Sequence, residues 1–263
     1  MEYVLVTGAC GGMGRAMVAL LREKGYGVFA LDRCACPEEE GVISLTSDVT
    51  DEKSLAAAME KIREITDHLY AIVHFAGRYM LDSLVEISEE DFDKAFRVNL
   101  YGAFLVNRCM LPLLQKGSRI LITTSELAPL SPLPFTGLYA ITKSALDKYA
   151  YSLCMELQLI GISVSVLRAG AVDTGMLDAS TKALDAFCKE TSLYSCNAER
   201  FKRIVESVEA RRIPASRLAE RALRILRKPS PRFAYAINRN PLLRLLEALP
   251  MRLRFFVIRK LLR

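Results

Sequence analysis

The chain has 263 residues, of which 51% are hydrophobic and 25% charged, and it carries a net charge of +6. This composition is typical of a folded globular protein and excludes a disordered chain. Seven cysteines without a Cys-x-x-Cys pair, together with only two histidines, argue against a disulfide framework and a histidine-rich metal site. Because no signal-like segment or membrane-length apolar run is evident, we expect a cytoplasmic protein that binds no metal.

Short apolar runs alternate with longer amphipathic stretches along the chain. Runs that are apolar on both faces and separated by helix-length segments are typical of a parallel sheet covered on both sides. We predict strands at residues 3–7, 27–31, 42–45, 70–75, 119–123, 162–167 and 233–237. The clearest helices are predicted at residues 138–159 and 217–227. The predicted fold is a doubly wound α/β Rossmann sheet, with residues 1–263 as a single domain.

A glycine-rich turn follows the first predicted strand and precedes a helical pattern. It reads Thr7-Gly8-Ala9-Cys10-Gly11-Gly12-Met13-Gly14. Glycines permit a tight turn there and let backbone amides approach a pyrophosphate at the positive end of the helix dipole. We therefore expect the turn to bind a dinucleotide through Gly8, Gly12, Met13 and Gly14. A glycine turn without a ligand is the alternative interpretation.

An acidic residue, Asp32, ends the second predicted strand. Its distance from the glycine turn is roughly that at which a carboxylate accepts hydrogen bonds from an adenosine ribose. Such an acid repels a 2′-phosphate, whereas the following Arg33 could pair with one. We expect both residues to contact the cofactor and favour NAD over NADP. A solvated surface pair is the other interpretation.

Tyr139 and Lys143 lie four residues apart on a predicted helix, so both side chains leave the same face. Tyrosine is a poor base near neutral pH, because its reference pKa is about 10. A nearby ammonium stabilises the phenolate, and Lys143 is positioned to lower this pKa. Taken alone, the pair could equally be a contact on a helix surface.

Two further residues accompany this pair. The predicted strand 119–123 runs into Thr124-Ser125, at the sheet edge where a nicotinamide would lie, and Asn99 is found upstream. Together with the glycine turn, Asp32 and Asp48-Val49, these residues make the chain resemble the short-chain dehydrogenase/reductase family over nearly its whole length. The resemblance implies a dehydrogenase or reductase that acts on CH-OH groups with a nicotinamide cofactor.

The resemblance also implies a role for each matching residue. Tyr139 would exchange a proton with the substrate oxygen, Ser125 would hydrogen-bond that oxygen, and Lys143 would hold the nicotinamide ribose. Asn99 would position a water linked to Lys143, and Asp48 would contact the adenine. Further cofactor contacts are implied at Val49, Ala76, Gly77, Gly170, Val172 and Thr174. Homodimers or homotetramers are implied through the helices of residues 99–114 and 139–159.

The sequence departs from the family pattern at several positions. His74-Phe75 replaces two asparagines before Ala76-Gly77, and Ala169 replaces a proline before Gly170. The separation of Ser125 and Tyr139 is one residue longer than usual, and Glu126 follows the serine directly. If Glu126 occupied the serine position, the catalytic assignment would fail there. We interpret His74 as structural, with a catalytic acid or base as the less favoured alternative.

The predicted substrate side is apolar. Residues 173–212 have no matching strand and follow a strand's carboxyl end, so we predict a substrate flap there. Apolar side chains expected near the substrate are Leu127, Leu130, Leu133, Pro134, Phe135, Met176, Leu177, Phe187 and Tyr194. They favour a bulky hydrophobic alcohol or ketone, such as a steroid, a bile acid or another lipid. Packing of the flap onto the body is an equal alternative.

Residues 200–263 are strongly basic, with 18 Lys and Arg against 4 acids. In the helical tail 240–263 we expect Arg252, Arg259, Lys260 and Arg263 to share one arc, largely opposite Leu253, Val257, Ile258, Leu261 and Leu262. Peripheral contact with an anionic membrane, cover for the sheet edge and a subunit contact are the three interpretations. No recognition motif supports nucleic-acid binding.

The sequence thus predicts an NAD(P)-dependent oxidoreductase that interconverts a secondary alcohol and a ketone. A catalytically silent NAD(P)-binding regulatory protein of the same fold is the main alternative, and the retention of Ser125, Tyr139 and Lys143 argues against it. A lyase or epimerase is disfavoured because no additional acid or base is evident.

Overall fold

A computed structural model describes residues 1–37 and 39–263, except for the side chains of residues 176–180 and 209. The strands are β1 Tyr3–Thr7, β2 Gly27–Asp32, β3 Val42–Thr46, β4 Ala71–His74, β5 Arg119–Ser125, β6 Ser163–Ala169, β7 Val172–Asp173, β8 Ile213–Pro214 and β9 Ala234–Ile237. The α-helices are α1 Gly12–Glu23, α2 Glu52–Arg63, α3 Glu89–Phe96, α4 Gly102–Met110, α5 Gly137–Leu157, α6 Gly175–Glu190, α7 Ser195–Glu209, α8 Ala215–Leu226, α9 Pro241–Ala248 and α10 Met251–Leu262.

Seven strands form one parallel sheet in the order β3-β2-β1-β4-β5-β6-β9. The chain moves outward from β1 to β3, returns to β4 beside β1, and then continues outward on the other side. Open sheets of this kind bind ligands outside the carboxyl ends of the strands at the point of reversal, here between β1 and β4. The predicted doubly wound α/β fold is therefore confirmed.

Helices cover both faces of the sheet because alternate residues of each strand point to opposite sides. On β1, Val4 and Val6 join a buried cluster with Met17 of α1 and Leu218 of α8. Leu5 points the other way. It belongs to a second cluster that includes Phe29, Leu55, Ile62, Leu105 and Met110. Since both faces are covered, the strands carry the continuous apolar runs seen in the sequence.

The predicted flap is built around two helices, α6 and α7, which lie between β7 and β8. Those two short strands pair in parallel outside the main sheet, so the ends of the flap are held together. A third buried cluster fills the space between the flap helices. Its members are Leu81, Phe135, Leu184, Phe187, Ala198, Phe201 and Val205. The sequence of residues 173–212 therefore shows no pattern of a sheet strand because the segment folds as two helices that share a small core of their own.

The chain turns twice into helices at its carboxyl end, α9 and α10. Val257, Ile258 and Leu262 of α10 are half-buried, and Leu262 packs against the flap cluster. The predicted basic arc is exposed, but Phe255 and Phe256 are exposed as well. Three of the apolar residues predicted opposite the basic arc are thus partly covered, whereas Leu253 and Leu261 remain exposed. Across the described part of the chain, no helix is both long and apolar enough to span a bilayer.

Candidate active site

The glycine turn connects β1 to α1 at the carboxyl edge of the sheet. Gly8 has a φ of 69°, and a Cβ there would lie 2.6 Å from the backbone nitrogen of Ala76. A Cβ on Gly14 would collide with the carbonyl oxygen of Gly8, and one on Gly12 would lie 2.8 Å from the Thr174 side chain. Gly11 caps α1 without any side-chain hydrogen bond. The first-turn N–H groups of α1 are therefore left without a side-chain cap, as an anion site at a helix terminus requires.

Asp32 lies at the end of β2 beside this turn. Its Oδ2 accepts a hydrogen bond of 3.0 Å from the amide of Cys10, and its Oδ1 accepts one of 3.4 Å from the amide of Cys34. The carboxylate is half-buried, whereas Arg33 is exposed. Asp32 therefore has a structural contact that the sequence did not indicate, since it ties the glycine turn to β2. Each carboxylate oxygen has a further lone pair for a ribose hydroxyl.

Asp48 and Val49 follow β3 at the same edge. Oδ1 of Asp48 accepts hydrogen bonds of 2.8 Å from both the amide and the hydroxyl of Thr50. Val49 is buried, and a Cβ on Gly102 at the start of α4 would lie 2.8 Å from it. Close approach of α4 to this loop therefore depends on glycine at position 102.

The segment after β4 connects the cofactor side to the catalytic side. Thr7 Oγ1 accepts a hydrogen bond of 3.3 Å from the amide of Ala76. A Cβ on Gly77 would lie 3.3 Å from both Asn99 Oδ1 and Lys143 Nζ. Because Gly77 has no side chain, the segment after β4 can lie close to Asn99 and Lys143. A side chain at position 77 would crowd both of them.

Asn99 is buried in a π-helical turn, Arg97–Tyr101, inserted between α3 and α4. Its Oδ1 accepts a hydrogen bond of 2.7 Å from the amide of Arg78, and its Nδ2 donates one of 2.9 Å to the carbonyl oxygen of Arg78. Nδ2 also donates to Thr142 Oγ1 at 3.0 Å. The side chain therefore connects the strand-end segment to α5. Single π turns inside α-helices are frequent at functional sites.

Ser125 and Tyr139 meet at the other end of the β5–α5 loop. Ser125 is the last residue of β5, and both Ser125 and Tyr139 line the same cavity. Burial raises the pKa of Tyr139 to about 12, and the nearby Ser125 hydroxyl, which lowers this pKa, offsets only part of the increase. This direction is opposite to the prediction that Lys143 lowers the pKa, because removal of the phenolate from water dominates. Tyr139 is thus a protonated donor at neutral pH.

Lys143 lies one helical turn after Tyr139, as the spacing predicts. Its Nζ is 5.8 Å from the centre of the Tyr139 ring and donates a hydrogen bond of 3.3 Å to the carbonyl oxygen of Thr123. The side chain is buried, and burial lowers its pKa to about 8. The ammonium therefore remains largely protonated at neutral pH, close to Gly77 and Asn99.

Glu126 lines the same cavity as Tyr139, but its carboxylate is engaged at the start of the carboxyl-terminal segment. Its Oε2 accepts a hydrogen bond of 2.6 Å from the amide of Asn240, and burial raises the pKa of its carboxyl group. Gly170 is packed so closely on the following segment that a Cβ would collide with the carbonyl oxygen of Asn238. The geometry brings Ser125, and not Glu126, to the tyrosine, and Glu126 instead fixes the start of the carboxyl-terminal segment.

His74 is buried at the end of β4 and lies outside the residues that line the cavity. Its Nε2 is 2.9 Å from Oδ1 of Asn107, whose Nδ2 donates 3.1 Å to the Tyr149 hydroxyl. Burial lowers the pKa of His74 to about 4, so the ring is neutral at physiological pH. These contacts agree with the structural interpretation of this histidine.

A cavity of about 190 Å³ opens beside Ser125, Tyr139 and Lys143. Of the apolar residues predicted near the substrate, Leu127 and Leu133 line it. Phe187 and Tyr194 of the flap instead pack on the Phe135 ring, and the side chains of Met176 and Leu177 lie outside the described residues. The lining that sequence reasoning missed comes from Tyr79, Phe201, Ile204, Val205, Val208 and Leu243.

Comparison with known proteins identifies the family of this chain. The sequence model of the short chain dehydrogenase family matches residues 2–185. A 3-ketodihydrosphingosine reductase of Bacteroides thetaiotaomicron is 24% identical over 94% of this chain and 91% of its own. An NADPH-dependent 1-acyldihydroxyacetone phosphate reductase of Schizosaccharomyces pombe is 27% identical over 73% of this chain and 68% of its own.

The fold has solved counterparts. A 3-ketoacyl-(acyl-carrier-protein) reductase from Brucella melitensis, solved as a complex with NADH, superimposes with a TM-score of 0.73 and 22% identity. The superposition covers 90% of this chain and 96% of the other. The family match agrees with the glycine turn, the parallel sheet and the meeting of Ser125 with Tyr139. The chain belongs to the short-chain dehydrogenase/reductase family and is an oxidoreductase that acts on CH-OH or ketone groups.

Proposed function

We propose that this enzyme interconverts a secondary alcohol and a ketone on a bulky, lipid-like substrate with a nicotinamide cofactor. One observation carries the proposal: the side chains of Ser125 and Tyr139 lie together at the wall of one apolar cavity. A substrate oxygen placed between them would receive two hydrogen bonds while its carbon faces the cofactor side. This arrangement suits a carbonyl that becomes an alkoxide during the reaction.

The chain's own residues would handle the proton. Tyr139 is protonated at neutral pH and would donate its proton to the substrate oxygen when a ketone is reduced. Ser125 would hydrogen-bond the same oxygen and stabilise its developing charge. Lys143 would bind the nicotinamide ribose, and Asn99 would position a water. Both side chains lie close to Gly77, which supports this placement.

A dinucleotide fits the residues at the carboxyl edge. The N–H groups at the start of α1 have no side-chain cap, and Thr123 Oγ1, which lines the cavity, is buried without a hydrogen-bond partner in the described residues. The cofactor would supply or accept the hydride. We propose that Gly8, Gly12, Met13, Gly14, Asp48, Val49, Ala76, Gly170, Val172 and Thr174 hold it. Asp32 favours NAD, because its carboxylate would repel a 2′-phosphate.

The substrate class is inferred from the cavity and from the names of relatives. The cavity is bounded by apolar side chains of α7 and α9, including Phe201, Val205 and Leu243. Two relatives are named for the reduction of a ketodihydrosphingosine and an acyldihydroxyacetone phosphate, which both carry long acyl-derived chains. A ketone with a hydrophobic chain or a fused ring system therefore fits better than a sugar or a short alcohol.

Assembly is a further part of the proposal. A groove lined by Phe96, Tyr101, Phe104 and Tyr149 runs along α3, α4 and α5, and Tyr101 and Phe104 are exposed. An exposed aromatic groove of this kind is typical of a protein interface. We therefore expect a homo-oligomer that uses these helices.

The experiment is an absorbance assay at the nicotinamide band, run with NADH and with NADPH against long-chain ketones, steroid ketones, sugars and short ketones. We expect turnover on a hydrophobic ketone and loss of about three orders of magnitude in kcat for Tyr139→Phe, since general acid catalysis contributes 10²–10⁴-fold. Cofactor binding should be unchanged in this variant. Full activity of Tyr139→Phe would refute the mechanism, and tighter binding of NADPH than of NADH would refute the cofactor preference.

A further inference from the structure

The two carboxyl-terminal helices expose large apolar side chains. On α9, Leu242 and Leu245 are 60% and 63% exposed, and on α10, Phe255 and Phe256 are 63% and 64% exposed. Single exposed apolar residues are common, but four on two consecutive short helices form an unusual concentration. We call these four residues the apolar set. The helices therefore present a surface suited to an apolar partner.

The same helices carry cations that no acid in the described chain neutralises. Arg244, Arg252, Arg259, Lys260 and Arg263 are exposed, and none forms an ion pair with a described residue. The one acid of this segment, Glu247, is already paired with Arg254 at 3.0 Å. The unpaired side-chain charges of these two helices are thus positive, which favours an anionic partner.

The body of the protein holds these helices in place. Glu247 accepts hydrogen bonds of 3.0 and 2.9 Å from the amide and the hydroxyl of Ser131, and Arg254 donates to the Ser131 hydroxyl at 2.7 Å. At the far end, Asn197 Nδ2 of α7 donates to the carbonyl oxygen of Leu262 at 2.6 Å. These contacts anchor both helices in the arrangement that leaves Phe255 and Phe256 exposed.

The exposed helices are continuous with the substrate cavity. Leu243 lines the cavity, while its neighbour Leu242 is exposed on the same helix. Glu126, next to the catalytic serine, holds the start of α9 through the amide of Asn240. A partner that contacts the exposed side of α9 would therefore be separated from the active-site cavity only by this helix.

We propose that α9 and α10 form a docking surface for an anionic membrane. Phe and Leu side chains would enter the boundary between headgroups and acyl chains, and the Arg and Lys side chains would contact anionic headgroups. A nucleic acid would not engage the apolar set, and a second copy of this basic surface would repel the first. The idea that the membrane delivers a lipid-like substrate to the cavity rests on the proposed function. The docking of α9 and α10 on the membrane does not depend on that function.

The test is flotation of the full-length protein with vesicles of phosphatidylcholine alone and of phosphatidylcholine mixed equally with phosphatidylglycerol. We expect binding to the mixed vesicles only, with weaker binding as salt is added. Arg259→Gln with Lys260→Gln should weaken binding roughly fivefold for each charge removed. Phe255→Ser with Phe256→Ser should weaken it by roughly tenfold or more. Dehydrogenase activity on a water-dispersed substrate should be unchanged in both variants.

Matched controls change equivalent side chains elsewhere. Lys53→Gln with Lys61→Gln removes two exposed lysines of α2, and Leu159→Ser with Ile160→Ser removes two exposed apolar residues after α5. Both controls should bind mixed vesicles as the unmodified protein does. Failure of the unmodified protein to bind these vesicles, or equal losses in controls and tail variants, would overturn the proposal. So would a change of oligomeric state in the Phe variant without a change in vesicle binding. Vesicle binding is measured without cofactor or substrate. A negative result would therefore count against membrane docking and not against the proposed enzymatic function.

Discussion

Asn99 donates a hydrogen bond of 3.0 Å from its side-chain amide to the hydroxyl of Thr142, one residue before Lys143 on α5. Thr142 is fully buried, and its hydroxyl in turn donates 2.9 Å to the carbonyl oxygen of Tyr139. The amide of Asn99 also holds Arg78 by two hydrogen bonds. The threonine therefore links Asn99 to the helical turn that bears the proposed acid.

Replacement of Thr142 by valine tests this link, because valine has nearly the same shape but no hydroxyl. One N–H of Asn99 would then be buried without its partner, which costs about 1–3 kcal/mol of unfolding free energy. We also expect a lower kcat, since Asn99 would be free to shift relative to Lys143. Urea unfolding followed by circular dichroism gives the first quantity, and initial rates give the second.

Thr142→Ser is the matched variant, since serine keeps the hydroxyl and loses only a methyl group. It should retain most of the kcat and lose less stability than the valine variant. If serine and valine behaved alike, the effect would come from packing at this position and not from the hydrogen bond.

Gly12→Ala should weaken binding of the cofactor. The added Cβ would lie 2.8 Å from the Cβ and Cγ2 of Thr174, so the start of α1 or the strand pair before α6 must move. Overpacking of this kind typically costs about 1–3 kcal/mol, which corresponds to roughly tenfold or more in the dissociation constant for NADH. Fluorescence titration with NADH measures this change directly.

Gly175→Ala provides the comparison, because it introduces the same methyl group close by in open space. A Cβ at Gly175 has no heavy atom within 4 Å, and the residue is the first of α6. Its NADH affinity should match that of the unmodified protein. An equal loss of affinity in both variants would indicate a general effect on the flap and would count against the proposed role of the turn.

The fold could be predicted from the sequence because buried parallel strands have a local signature. β5, for example, reads Arg-Ile-Leu-Ile-Thr-Thr-Ser, and the predicted strand 119–123 differs from it only at the carboxyl end. The π turn Arg97–Tyr101 has no such signature, since its sequence suits an ordinary helix. The element that covers part of α10 could not be predicted either, because periodicity reports which residues share a face and not what packs on it.

In the site, too, local features could be predicted from the sequence, whereas contacts between distant residues could not. Tyr139 and Lys143 share a helix face by spacing alone, and their positions followed from the sequence. The bonds of Asp32 to Cys10, 22 residues away, and of Glu126 to Asn240, 114 residues away, depend on the tertiary fold. The raised pKa of Tyr139 also depends on the tertiary fold, because burial raises this pKa and Ser125 opposes only part of the increase.

His74 should make the stability of the protein depend on pH in the mildly acidic range. Its folded-state pKa is about 4, lowered by burial from an ordinary value of 6.5. The unfolded chain therefore binds a proton at this residue between these two values, whereas the folded protein does not. Since the unfolded state is favoured by that proton, unfolding free energy should fall by about 3 kcal/mol as pH drops from 6.5 to 4. Urea unfolding at a series of pH values measures this slope.

Other groups titrate in the same range, so the informative quantity is the difference between variants. His74→Asn removes the titrating ring, and its unfolding free energy should decrease less steeply below pH 6.5 than that of the unmodified protein. His68→Asn is the matched control, since its ring is partly exposed and contacts the exposed Asp67 at 2.8 Å. The control should keep the slope of the unmodified protein. A slope that is the same with and without His74 would mean that this histidine is not held neutral by burial, because a buried neutral ring must take up its proton when the chain unfolds.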